Sequence, residues 1–157
     1  HHQPANLSDD LKDRINVAVK DILKILGISC GMAHLELKVI DNELYFIEVG
    51  ARGGGDHISD ILTVKSTNCD YYAEAIKCCL GKYIHKEIHN IANTGLYYHC
   101  KQNEYLKPLF DKAKTADWCI YNTVVKDEFP RAFSNVEAFS SGYIIYCADK
   151  NINLENY

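Results

Sequence analysis

The sequence predicts an α+β fold, and three observations carry that prediction. A long stretch of apolar residues at helical spacing leads into a β-hairpin. A run of three glycines and two more helical stretches follow. The remainder is dominated by segments rich in Tyr, Val, Ile and Cys that read as strands. Helices and hairpins in that order suit an α+β architecture, whereas a doubly wound parallel sheet would alternate strand and helix. With 157 residues the chain is long enough for a real core.

The first helix opens at Ser8, an N-cap residue type, with Asp9 and Asp10 where the helix dipole favours acids. Leu11, Ile15, Ala18, Val19, Ile22, Leu23 and Leu26 then recur at helical spacing until Gly27. Residues 30–40 alternate as a strand, Asp41-Asn42-Glu43 forms the turn, and residues 44–49 are the return strand. Residues 50–55 are too glycine-rich for regular structure. A helix is expected over 56–65 with Asp56 as its N-cap, and another over 69–80 closed by Gly81. The polar stretch 82–92 is a connection. Strands are expected at 94–101, 118–126 and 142–148, with a short helix at 106–113. The expected division is therefore 1–81, the connection 82–92, and a β-rich subdomain over 93–157.

Composition narrows the function. The net charge is −4 and no basic run occurs, so neither nucleic acid nor an anionic membrane surface is an expected partner. No apolar run approaches the length of a membrane span, and no signal peptide opens the chain. His1 and His2 read equally as native residues or as the remnant of a tag. Seven cysteines, without a C-x-x-C pair and mostly in apolar runs, read as buried free thiols and point to the cytoplasm. Zinc would need a paired spacing that is absent.

The chemistry concentrates in residues 34–57. With a three-residue turn, Ile40 faces Leu44 and Glu36 lies opposite Glu48. Leu35, Leu37, Val39, Tyr45, Ile47 and Val49 then share one face, while His34, Glu36, Lys38, Ile40, Leu44, Phe46 and Glu48 share the other. Like charges placed directly opposite are destabilising, and a divalent cation would reverse the sign. Mg²⁺ is commonly held by one or two carboxylates plus phosphate oxygens. Arg52 lies just beyond Glu48, with a fork suited to phosphate or carboxylate. Gly53, Gly54 and Gly55 permit positive φ and close approach of backbone to a ligand. Asp56 would repel phosphate, so its functional reading is a contact to a second substrate, as base or as partner of an amine. His34 and His57 read as hydrogen-bonded supports.

On these residues the chain resembles the C-terminal half of the ATP-grasp domain of carboxylate–amine ligases, biotin carboxylases and carbamoyl phosphate synthetases. The match is specific over residues 31–56, continues to Gly81, and extends weakly to Ala148 as a β-rich, carboxylase-like subdomain that includes Ser141-Gly142-Tyr143-Ile144-Ile145. Pro4-Ala5-Asn6-Leu7-Ser8 and the helix after it favour the amino-acid-ligase branch. The resemblance implies an antiparallel sheet with flanking helices. It implies ATP as cosubstrate, Mg²⁺ or Mn²⁺ held by Glu36 and Glu48, and an acylphosphate formed from a small carboxylate such as an amino acid. Arg52 matches the arginine that contacts phosphate or carboxylate. Lys38 and Phe46 fall near the nucleotide seat, with Gly53, Gly54 and Gly55 beside it. Asp56-His57 falls where carboxylase-like proteins have Glu-His for bicarbonate, which supports a bicarbonate-using enzyme as the alternative. Gly50 stands where many members have a metal-binding Asn, a departure shared by some amino-acid ligases. A non-catalytic module that retains the fold is a third reading. The resemblance also implies partners: the N-terminal lobe with its phosphate-gripping lysines and lid, and a second copy in a homodimer. The chain is expected to be a C-terminal fragment or half of a split enzyme, binding nucleotide poorly alone.

Overall fold

The computed structural model describes residues 1–156. It combines helices with two antiparallel sheets, as the α+β reading requires. The chain forms two compact units. One comprises Ala5–Val64 and Cys69–Glu87; the other comprises His1–Pro4, Lys65–Asn68 and Ile88–Tyr157. Each unit is assembled from separate stretches of the chain.

In the first unit, α1 spans Asp9–Ile25. The Ser8 hydroxyl accepts from the Leu11 amide, and the helix ends on Gly27, whose neighbour Ile28 donates back to the Leu23 carbonyl. The hairpin follows as β1 (His34–Ile40) and β2 (Glu43–Gly50). A π-helical turn at Ile58–Leu62 runs into α2 (Thr63–Thr67). Then α3 (Tyr71–Cys79) begins on Asp70, whose carboxylate accepts from the Ala73 amide at 2.9 Å, and closes on Gly81. Arg14 of α1 donates to the Asn42 carbonyl at 2.7 Å, fixing the hairpin turn to the helix.

Little of this unit is sealed from water. No residue of α1 or α3 is buried, and the buried apolar side chains are Leu62 and Cys69. Ile25 is 82 % exposed, Ile76 61 % and Ile47 54 %.

The second unit is better closed. Its sheet has a strand not foreseen from sequence, β3 (His2–Gln3). The order across the sheet is β3 (His2–Gln3), β4 (Asn93–Tyr98), β6 (Tyr143–Ala148), β5 (Cys119–Asn122), all antiparallel. Gly95 lets β3 come close, since a Cβ there would sit 2.6 Å from the His1 carbonyl oxygen and against the Tyr146 ring. His2 Nδ1 lies 2.6 Å from the Tyr146 hydroxyl, and Asn151 Oδ1 accepts from that hydroxyl at 3.1 Å. Burial pushes the Tyr146 phenol well up. A 3-10 turn (Lys101–Leu106) and α4 (Lys107–Ala113) pack Leu106, Leu109, Phe110 and Ala113 against Ile144, Tyr146 and Ile152. A further short helix, α5 (Asn135–Ser140), was also not foreseen. Its Ser134 cap hydroxyl accepts from the Glu137 amide at 3.2 Å.

Seven free cysteines are present, but the expectation that they are mostly buried is corrected. Cys69 and Cys100 are buried, whereas Cys30 and Cys79 are exposed and the others are half-buried. The exposed ones sit on an irregular segment and at a helix end, where the neighbouring apolar residues are themselves uncovered. Among the described residues no helix is long and apolar enough to cross a membrane.

His99 is 2 % exposed and stacks on Phe129 with ring centroids 4.0 Å apart. Loss of water lowers its pKa; Asp127 opposes this, and Lys107 and Lys114 reinforce it. A lowered histidine pKa contributes stability that is complete above the unfolded value and is lost as pH falls through the folded one. Urea midpoints should therefore drop from about pH 7.5 to about pH 5.5, bracketing the ordinary histidine value. His99→Phe, which keeps the stacking, should shallow that slope; identical slopes in both proteins would refute the assignment.

Candidate metal and phosphate site

The hairpin turn is tighter than the sequence reading supposed. Asp41 and Asn42 both take positive φ (49° and 64°), which makes a two-residue turn of the kind whose twist matches a hairpin. Ile40 therefore pairs with Glu43, Val39 with Leu44, Lys38 with Tyr45 and Leu37 with Phe46. Continued without interruption, this register would place Ile47 opposite Glu36. A β-bulge between Glu36 and Leu37 absorbs one residue of β2, and Glu36 pairs with Glu48 after all.

The bulge redistributes the faces. Directly paired residues share a face. Glu36, Glu48, Lys38 and Tyr45 lie on one side, and Leu35, Leu37, Val39, Val49, Phe46 and Leu44 lie on the other. The expectation that Phe46 shares the carboxylate face is corrected: the extra residue at the bulge turns it over, and Tyr45 takes the place beside Lys38.

Glu36 is oriented from behind. His34 Nε2 lies 3.3 Å from Glu36 Oε1. The other edge of that ring rests on Gly54, where a Cβ would meet His34 Nδ1 at 2.8 Å and Ile58 Cβ at 3.3 Å. Gly54 is buried, and Gly53 is pressed by Ser59 Oγ and Met32 Sδ. These two glycines thus make room for protein side chains; Gly55 alone has open space around its Cα. None of the three takes positive φ. That conformation falls on Asp56 (50°) and His57 (58°), which turn the chain into the π-helical segment.

Asp56 is consequently not the helix N-cap. His57 flanks the first helical residue without a side-chain cap bond, and its Nδ1 lies 2.9 Å from Asp60 Oδ2. Arg52 is exposed, with Nη1 donating to the Gly53 carbonyl at 2.9 Å. Its stem explains Gly50: a Cβ there would meet Arg52 Cγ at 3.2 Å and Nε at 3.3 Å. Among the described residues no group of three or more His, Cys, Asp or Glu side chains could hold a metal. A bare pair of carboxylates suits Mg²⁺, which completes its shell with phosphate oxygens and water, and does not suit zinc. The two glutamates fit such an ion. Neither lines the cavity of about 630 Å³ found between α1, the segment before β1 and α3.

Comparison with known proteins agrees at the level of fold. No protein-family model and no curated protein matches the chain. Among solved structures, 95 % of the chain superposes on 38 % of an L-amino acid ligase from Bacillus licheniformis, with TM-score 0.69 and 22 % identity. It covers 99 % of itself and 40 % of phosphoribosylglycinamide synthetase from Anaerococcus prevotii, with TM-score 0.63 and 17 % identity. An ADP complex of N5-carboxyaminoimidazole ribonucleotide synthetase matches over 96 % of this chain and 37 % of that one, with TM-score 0.59 and 15 % identity. The chain shares its fold with that part of each of these three enzymes. The chain spans about two-fifths of the length of these enzymes.

The packing makes a paired prediction. Gly54→Ala, which drives a methyl into the His34 ring, should destabilise by about 1–3 kcal/mol. Gly55→Ala, which meets nothing within 4 Å, should stay within about 0.5 kcal/mol of the parent. Denaturant midpoints measure both, and equal effects would show that Gly54 does not buttress the ring.

Proposed function

We propose that this chain is the C-terminal part of an ATP-dependent carboxylate–amine ligase, acting on a small carboxylate such as an amino acid through an acylphosphate. The observation that carries this reading is the placement of Glu36 directly opposite Glu48 next to a bulge, with Arg52 four residues further along. The likeness in fold to ligases that use a nucleotide supports it.

In this reading Glu36 and Glu48 hold Mg²⁺ or Mn²⁺. Bound there, the cation would supply positive charge to phosphate oxygens during phosphoryl transfer. His34 keeps the Glu36 carboxylate aimed. Arg52 is an exposed, multivalent donor: released from the Gly53 carbonyl, its fork can grip a transferring phosphoryl group or the substrate carboxylate. Lys38, on the carboxylate face, seats the nucleotide. Phe46, paired with Leu37 on the neighbouring strand, is the second residue at the nucleotide seat in this reading. Gly53, Gly54 and Gly55 lie beside the nucleotide in this reading; Gly53 and Gly54 also hold the loop against Ser59, Met32 and His34, while Gly55 leaves open space for a ligand. Asp56 contacts the second substrate, as base or as partner of its amine. The lysines and lid that grip ATP from the opposite side belong to an N-terminal lobe, so turnover is a property of the longer enzyme.

In that longer enzyme, Glu48→Gln should abolish metal-dependent ATP turnover, a fall of at least about a hundredfold if it removes charge stabilisation of the transition state, with the circular dichroism spectrum unchanged. Undiminished turnover would refute the role of the acid pair. ADP release screened over pairs of amino acids, and separately with bicarbonate, tests the substrate class. Release with bicarbonate alone would move the assignment to a carboxylase-like enzyme, and absence of nucleotide binding would overturn catalysis altogether.

A further inference from the structure

We propose that Cys30 and Cys78 form a reversible intrachain disulfide when the chain meets a low-molecular-weight disulfide such as oxidised glutathione, fastening the segment that leads into β1 to the C-terminal turn of α3. The two residues are 48 positions apart in sequence, yet the Cys30 thiol donates to the Cys78 carbonyl at 3.5 Å. Both residues line the same cavity, of about 630 Å³. Forming the bond requires the two side chains to rotate until sulfur meets sulfur. Access is open: Cys30 is exposed and Cys78 is half-buried. Both are free thiols, and neither is part of the acid-pair site, so the proposal stands apart from the ligase reading.

The exchange balances without metal or further cofactor. The Cys78 thiolate attacks one sulfur of glutathione disulfide, forming a mixed disulfide and releasing one glutathione thiolate. Cys30 gives up its proton and attacks the Cys78 sulfur; the second glutathione leaves as that bond breaks. The protein loses two protons and two electrons, and the oxidant takes them up to become two glutathione molecules. Loss of water around Cys30, followed by the neighbouring Cys78, pushes the Cys30 thiol up. Cys30 is therefore suited to the second, resolving step, in which the two sulfurs are already held together. The staple lies six residues before Glu36. It makes the approach to the hairpin responsive to the thiol–disulfide balance.

The test uses the 157-residue chain, incubated folded with oxidised glutathione, quenched by alkylation, digested with trypsin without reduction and read by mass spectrometry. A linked pair of peptides is expected, residues 25–38 joined to residues 78–82, and it should vanish on reduction. Because Cys79 shares the second peptide, three variants assign the bond. The link should persist in Cys79→Ser and be lost in Cys78→Ser and Cys30→Ser. Glutathione adducts without a linked peptide in the unsubstituted chain would overturn the proposal, whatever the variants do. So would a bond between Cys78 and Cys79, or a link to Cys30 that survives Cys78→Ser and disappears in Cys79→Ser.

Discussion

The opposition of Glu36 and Glu48 across the hairpin is the constraint around which the first unit is organised. Two carboxylates facing each other on adjacent strands repel, and a sheet that merely needed polar residues on a wet face would not align them. Here the alignment is restored by a bulge against the register imposed by the turn. Bulges bend a strand and re-aim side chains, and they concentrate near functional positions. His34 then gives one of the two acids a hydrogen-bonded neighbour, and Gly54 leaves the space in which the imidazole lies. Arg52 has room because Gly50 has no side chain. Each of these features acts on the direction in which a charged group points.

Much of this was legible in the sequence, though in places for the wrong reason. The acid pair was expected from a three-residue turn, whereas the chain makes a two-residue turn and adds a bulge. The two shifts cancel at Glu36 and Glu48 but not nearer the turn, which is why Phe46 lies opposite Leu37 and Tyr45 opposite Lys38. Asp41-Asn42 carried the signal for the shorter turn, since both residue types tolerate the left-handed region. A bulge of an ordinary residue such as Ile47 has no comparable signature. The glycine run misled in a related way. Glycine is selected equally by a ligand or by a neighbouring side chain, and only packing distinguishes the open Gly55 from Gly53 and Gly54.

The helices with strong caps were readable. Ser8, Gly27 and Gly81 mark ends that the structure keeps, because capping is local chemistry. The segments that escaped notice depend on distant residues. The strand His2–Gln3 is too short to announce itself and exists through pairing with β4, near a glycine that admits it. The helix expected over 56–65 became a π-helical turn followed by a short α-helix, because positive φ at Asp56 and His57 delays its start. The strand expected over 118–126 stops at Asn122, whose side-chain oxygen takes the Val124 amide and diverts the chain.

The uncovered apolar side chains of α1, α3 and the hairpin bear on how this unit behaves in solution. Side chains such as Ile25, Ile47 and Ile76 gain free energy only when something removes them from water. Folding of residues 5–64 and 69–87 is therefore linked to association by mass action. Any surface that covers these side chains on the folded unit would raise its melting temperature in proportion to the logarithm of that surface's concentration.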